Sequence, residues 1–155
     1  MEIAVLTISD RASVGIYEDK SGPAIQRIME EAFVGCTIKR MVVPDDPGRI
    51  TSAFQEFSEA DFILTTGGTG IGPRDITPET TQRYCERLLP GIAEILRVES
   101  YRQTPQAMLS RAVAGIKGKT VIVNFPGSVR GAEFCARVIV TVMEHARLML
   151  RGEGH

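Results

Sequence analysis

Gly67, Gly68, Gly70 and Gly72 surround Thr69 and run straight into Pro73-Arg74-Asp75-Ile76-Thr77-Pro78. Without Cβ atoms, successive glycine N–H groups can turn toward an anion as a nest, and Thr69 adds a hydroxyl donor. Arg74 offers a planar cationic fork. Asp75 is useless to a phosphate directly but suits a divalent cation held against one. This is equipment for metal-assisted chemistry on phosphates, although the same glycines would also make a plain strand-to-helix turn. Neither common nucleotide fingerprint is present, because no Lys-Ser or Lys-Thr follows the glycines and no G-x-G-x-x-G occurs.

Asp45, in Pro44-Asp45-Asp46-Pro47, is a second acid that a strand end could bring to the same place. Together Asp45 and Asp75 suit one Mg²⁺, or one metal ligand and one base, in phosphoryl or nucleotidyl transfer. Taken singly, each also reads as a turn residue or helix cap. Ser9 and Asp10 offer a hydroxyl and a further carboxylate after another apolar run, or an ordinary turn. Ser110 reads as a hydrogen-bond donor rather than a nucleophile, since no Asp-His partner accompanies it. Arg11, Lys20, Arg74 and Arg111 are candidates to receive an anionic substrate. His145 and His155 adjoin no carboxylate or cysteine motif and are assigned no catalytic role.

Loops of this kind need a scaffold. Apolar runs at 3–8, 36–43, 62–64 and 120–123 predict buried strands, each ending in a polar or Gly/Pro-rich loop. Between them, apolar spacing predicts helices at 22–32, 49–57, 92–101 and 129–150, the last carrying Phe134, Val138, Val142 and Leu148 for an intramolecular layer or a subunit interface. Thr77, Pro78 and Glu79 read as N-cap, first-turn proline and first-turn acid of a helix to about Leu88. Alternating β and α elements predict a three-layer α/β/α sandwich on a mostly parallel sheet. Ligands of such sheets bind beyond the strands' carboxyl ends, where Ser9-Asp10, Asp45, the glycine loop and Pro126-Gly127 would gather.

At 155 residues the chain fits one domain over 1–155, large enough to bury a core without disulfides. With 18 basic against 19 acidic residues, 6% aromatics and no Trp, it lacks the footprint of a nucleic-acid binder. Cys36, Cys85 and Cys135 form no C-x-x-C pair and are expected to be buried free thiols. No signal-like or membrane-spanning apolar run is present, so a cytoplasmic protein with no membrane partner is expected.

The segments TISDRASVGIYEDKSGP at 7–23, VVPDD at 42–46, TTGGTGIGPRDITPE at 65–79, PGIAE at 90–94 and AMLSRAVAGIKGKTVIVNFPG at 107–127 resemble those of the molybdopterin-binding proteins of molybdenum cofactor biosynthesis. That family includes the molybdopterin adenylyltransferases of the MogA type and their MoaB relatives, and the likeness spans nearly the whole chain. It implies Mg²⁺-dependent transfer of AMP from ATP to the terminal phosphate of molybdopterin, a MoeA-type metal-insertion partner and a homotrimer. The alternative within the family is a MoaB-like binding or carrier protein. By matching motif, Asp45 and Asp75 correspond to the family's essential aspartates and Gly67, Gly68, Thr69 and Gly70 to its phosphate loop. Ser9, Asp10, Pro126 and Gly127 line the same cleft, with Ser110 and Arg74 toward the pterin. The last loop continues Pro126-Gly127-Ser128-Val129-Arg130, as in the MoaB branch, where many adenylyltransferases carry a proline-containing run.

Overall fold

Side chains of successive residues on a strand point to opposite faces, and the core records this directly. In β1 (Glu2–Ile8), Ile3 and Val5 join one buried cluster while Ala4, Leu6 and Ile8 join another. A computed structural model of the chain describes residues 1–153, so His155 lies outside the described residues. The remaining strands are β2 (Thr37–Val43), β3 (Phe62–Thr66), β4 (Arg87–Leu88), β5 (Ala114–Lys117) and β6 (Thr120–Phe125). They form one sheet in the order β2-β1-β3-β6-β5-β4, parallel from β2 through β6, with β5 antiparallel to both its neighbours.

Helices α2 (Ser21–Ala32), α5 (Pro90–Tyr101) and α6 (Val129–Arg151) cover one face, and α3 (Pro47–Glu56) and α4 (Thr77–Tyr84) the other, completing the expected three layers. A short α1 (Asp10–Ser13) follows β1. Ile25, Met29, Ile50 and Phe54 are fully enclosed, and burial of each such side chain contributes about 1.5–3 kcal/mol.

Several expectations need correction. Strand β2 is an edge, not a buried strand: among the described residues it pairs only with β1, and Lys39 and Arg40 are exposed. Strands β4 and β5 were hidden by a poor strand former, Ala114-Gly115, and by the helix expected to run to Leu88. That helix ends at Tyr84 because β5 claims the next amides, Glu86 N–H donating to Ile116 O and Leu89 N–H to Ala114 O at 2.8 Å each. Its N-cap is Ile76 rather than Thr77, which is already helical.

Helix α6 buries Ala132, Cys135, Ala136, Ile139 and Met143, leaving Phe134, Val138 and Leu148 half-buried and Val142 exposed. The first turns of α6 face small residues inward, Ala132, Cys135 and Ala136, and the later turns bury Ile139 and Met143. The three thiols are free as expected, but only Cys135 is buried. His145 is exposed.

Candidate functional site

From β1 the chain passes to β2 on one side and then crosses to β3 on the other. That reversal opens a crevice beyond the carboxyl ends of β1 and β3, the place where α/β sheets bind ligands. Ser9, Pro44-Asp45, Gly67 and Pro126 follow the last residues of β1, β2, β3 and β6, all parallel, so the four loops converge there.

Gly67 is fixed from several directions. Its N–H donates to Phe125 O at 3.2 Å, and its carbonyl accepts from the Thr77 hydroxyl at 3.0 Å. Its φ is 104°, and a Cβ there would lie 2.2 Å from Ile8 O. Gly68, with φ 64°, turns the chain again, and Thr77 N–H donates to its carbonyl at 3.1 Å. Beneath the loop, the Asn124 amide donates to the hydroxyls of Thr65 and Thr81 at 3.0 Å each, and Thr81 donates to Thr77 O at 2.8 Å. These buried polar groups are satisfied, as burial demands. Among the described residues, the N–H groups of Gly68, Thr69 and Gly70 meet no protein acceptor, leaving three donors for an anion.

The acids divide their work. Asp46, not Asp45, caps α3 by accepting from Arg49 N–H at 2.8 Å. Asp45 instead accepts from Asp10 N–H at 2.9 Å, while Asp10 accepts from Asp45 N–H at 3.0 Å. Arg74 forks onto Asp10 at 3.0 and 3.1 Å and also donates to Asp45 O, so it closes this pair at the exposed rim. Asp75 does not cap α4: its carboxylate accepts from Gly72 N–H at 2.8 Å and lies against Gly70 and Gly72. Ser9 caps α1, accepting from Ala12 N–H. Ser110 accepts from Ala112 N–H at 3.3 Å, and Ser128 caps α6, which accounts for the serine in the last loop.

Two cavities flank the glycine loop. The larger, about 420 Å³, has walls of Ala93, Leu96, Leu109 and Cys135 with Thr69, Ser110 and Asn124. The smaller, about 260 Å³, takes Ser9, Tyr17, Asp19, Asp45, Thr66 and Gly67. Gly68, Asp75 and Gly127 line both. Of the expected residues, Asp10 and Arg74 line neither. Of the other expected cations, Arg111 is spent on protein acceptors, Arg11 lies over the Tyr17 ring and Lys20 is exposed.

Sequence reasoning missed Asp19, which accepts from the Thr7 hydroxyl at 2.9 Å and Gly22 N–H at 3.0 Å. An acid just before the Ser21-Gly22-Pro23 helix start was the available signal. Asn124, a lone amide in the apolar run of β6, was another.

Over residues 4–145 the sequence matches the family described as the probable molybdopterin binding domain. The chain belongs to that family. A curated relative, the molybdopterin adenylyltransferase of Helicobacter pylori strain 26695, is 37% identical over 98% of this chain and 89% of its own. The crystal structure of the molybdopterin biosynthesis enzyme MoaB from Thermus thermophilus is 37% identical and superposes with a TM-score of 0.86, covering 97% of this chain and 96% of that one. A MogA structure is 33% identical with a TM-score of 0.91, covering 97% and 99%. The molybdopterin binding domain thus has here the mostly parallel six-stranded sheet of its MogA and MoaB neighbours.

Within this molybdopterin binding domain, burial raises the Asp45 pKa above its ordinary value. The Asp10 N–H opposes that, and the charges of Asp10 and Asp75 add to it. A carboxyl harder to ionise when folded holds its proton more tightly there. Its stabilising contribution is therefore full below the ordinary value of 3.8 and is lost as pH rises through the raised one. At neutral pH the ionised Asp45 costs folding free energy. Asp45→Asn, which keeps an oxygen for Asp10 N–H, is expected to melt above the wild type at neutral pH, with the gain shrinking on acidification. A lower Tm at neutral pH would contradict this.

Proposed function

We propose that this protein is a molybdopterin adenylyltransferase of molybdenum cofactor biosynthesis, acting through Asp45, Asp75 and the loop from Gly67 to Gly70. Its molybdopterin phosphate oxygen would bond to the α-phosphorus of ATP as the bond to pyrophosphate breaks, giving adenylylated molybdopterin. The observation that carries the reading is the pair of cavities meeting at Gly68, Asp75 and Gly127, a layout for two substrates that react where they touch. The wider, apolar-walled cavity suits a flat pterin, oriented by the Ser110 hydroxyl. The smaller one, with its carboxylates, suits a metal-bound triphosphate.

Mg²⁺ fits these residues. Among the described residues no group of three or more His, Cys, Asp or Glu is arranged to hold a metal by itself. Mg²⁺ commonly takes one or two carboxylates and completes its shell with phosphate oxygens and water. Asp75 and Asp45 would hold it, and the charges of Asp10 and Asp75 that disfavour ionised Asp45 favour a cation there. Bound, it would neutralise charge on the triphosphate. The N–H groups of Gly68, Thr69 and Gly70 steady the phosphates, with Ser9 and Pro126-Gly127 closing the wall around them. Arg74, itself paired with Asp10, keeps the Asp10–Asp45 pair in place. A phosphate monoester is already ionised near neutral pH, so the attack needs no strong base, and positioning and charge stabilisation supply most of the acceleration.

The reading is tested by incubating the protein with molybdopterin, Mg²⁺ and α-labelled ATP. Labelled pterin is the expected product. Bound but unlabelled pterin would replace this reading with a MoaB-like carrier role. We further propose that the chain works as one domain in the cytoplasm and hands its product to a MoeA-type metal-insertion protein. Among the described residues no helix is long and apolar enough to cross a membrane. Exposed Ile95 and Val98 on α5 and Val142 on α6 are the surfaces a homotrimer would cover. Sedimentation at three times the monomer mass is expected, and a monomer would sink the trimer.

A further inference from the structure

One side chain that takes no part in the scheme above grips the glycine loop from behind. Arg111 follows Ser110, and its backbone N–H donates to Thr69 O at 2.9 Å. Its guanidinium donates through Nε to Gly70 O at 2.6 Å, through Nη2 to Asp75 O at 2.8 Å and through Nη1 to the Glu79 carboxylate. The planar fork thus reaches three acceptors, on two ends of the loop and on α4, which a lysine cannot reproduce.

The consequence is directional. In a trans peptide the carbonyl and the following N–H point opposite ways, and among the described residues no peptide is cis. With the Thr69 carbonyl drawn to the Arg111 backbone and the Gly70 carbonyl to its guanidinium, the N–H groups of Gly70 and Ile71 face away from it, and the side chain's own hold is on the peptide between Gly70 and Ile71. Asp75 is tied through its own carbonyl, which restricts where its carboxylate can travel between the two cavities.

Glu79 keeps Arg111 in place. Its Oε2 is buried and, among the described residues, has no hydrogen-bond partner. Burial works to raise its pKa, but the hydrogen bond and charge of Arg111 outweigh this and hold it below the ordinary carboxylate range. The pair is neutral, so Arg111 acts on the site by geometry rather than by adding positive field.

We propose that Arg111, neutralised by Glu79, is a positioning residue whose guanidinium sets the orientation of the Gly70–Ile71 peptide at the end of the loop and the place of Asp75. This deepens the adenylyl-transfer reading and rests on it. In the full chain with Mg²⁺, ATP and molybdopterin, Arg111→Lys is expected to lower kcat about a hundredfold, the usual cost of misplacing reacting groups by about an ångström. KM for molybdopterin should stay within about threefold, since Arg111 itself does not line the larger cavity. Millimolar guanidinium should restore part of the turnover of Arg111→Ala, and ammonium should not.

An Arg111→Lys kcat within about threefold of the wild type would overturn the proposal, as would a rise in KM alone. Should the alanine variant fail to fold, Glu79→Gln carries the test, with a kcat about tenfold down at unchanged KM expected and wild-type turnover overturning it. A wild type that makes no labelled pterin would sink the functional reading instead. Calorimetry with inorganic pyrophosphate then decides the inference alone: weaker binding by Arg111→Lys supports it, and equal binding overturns it.

Discussion

Asp75→Asn is expected to lower adenylyl transfer by about a thousandfold while molybdopterin binding stays within a few-fold of the wild type, an effect of the size seen when one preorganised electrostatic contact is lost. Asparagine keeps an oxygen for Gly72 N–H, so the turn that carries it should hold, and what disappears is the negative charge at the junction of the two cavities. Single-turnover rates with labelled ATP, set beside pterin titrations by calorimetry, separate the two effects. Turnover within tenfold of the wild type would remove Asp75 from the mechanism.

The second large effect is on stability. Gly67→Ala should cost more than about 3 kcal/mol, because it combines a φ of 104° with a Cβ placed 2.2 Å from the Ile8 carbonyl oxygen. For a chain of this size that corresponds to a fall in Tm of roughly 6–12 °C. The atom it strikes is the backbone of β1, the central partner of both β2 and β3, and it cannot move aside as a flexible side chain would. A Tm within 2 °C of the wild type, read by calorimetry alongside Phe54→Ala as a core reference, would show that the loop has another conformation available.

Legibility in the sequence followed the range of the forces involved. Strands β1 and β3 and helices α2 and α3 were readable because their large apolar residues recur at the right spacing and all become buried. Strands β4 and β5 were not, since Arg87-Leu88 is held by β5 and Ala114-Gly115 by β6 and β4, rather than by propensity. Asp45 and Asp46 were adjacent candidates for one cap, and only the hydrogen bond from Arg49 N–H separates the cap from the acid facing the crevice. Arg111 read as a substrate cation because its true partners are carbonyls at positions 70 and 75, which no local pattern links to it. In the PRDITPE stretch the turn and the helix start are local, and only the cap was misplaced, being Ile76 rather than Thr77.

Strand β6 sits between β3 and β5 yet is the last strand to be made. Until it arrives, Gly67 N–H has no Phe125 carbonyl, the Thr66 hydroxyl has no Pro126 carbonyl, and β3 presents an unpaired edge. A growing chain therefore carries its glycine loop for about 58 residues of synthesis without being able to set it, as the separation between Gly67 and Phe125 requires. Competence arrives late and all at once, and a fragment cut before Thr120 would be left with a sticky open sheet instead of a weakened catalyst.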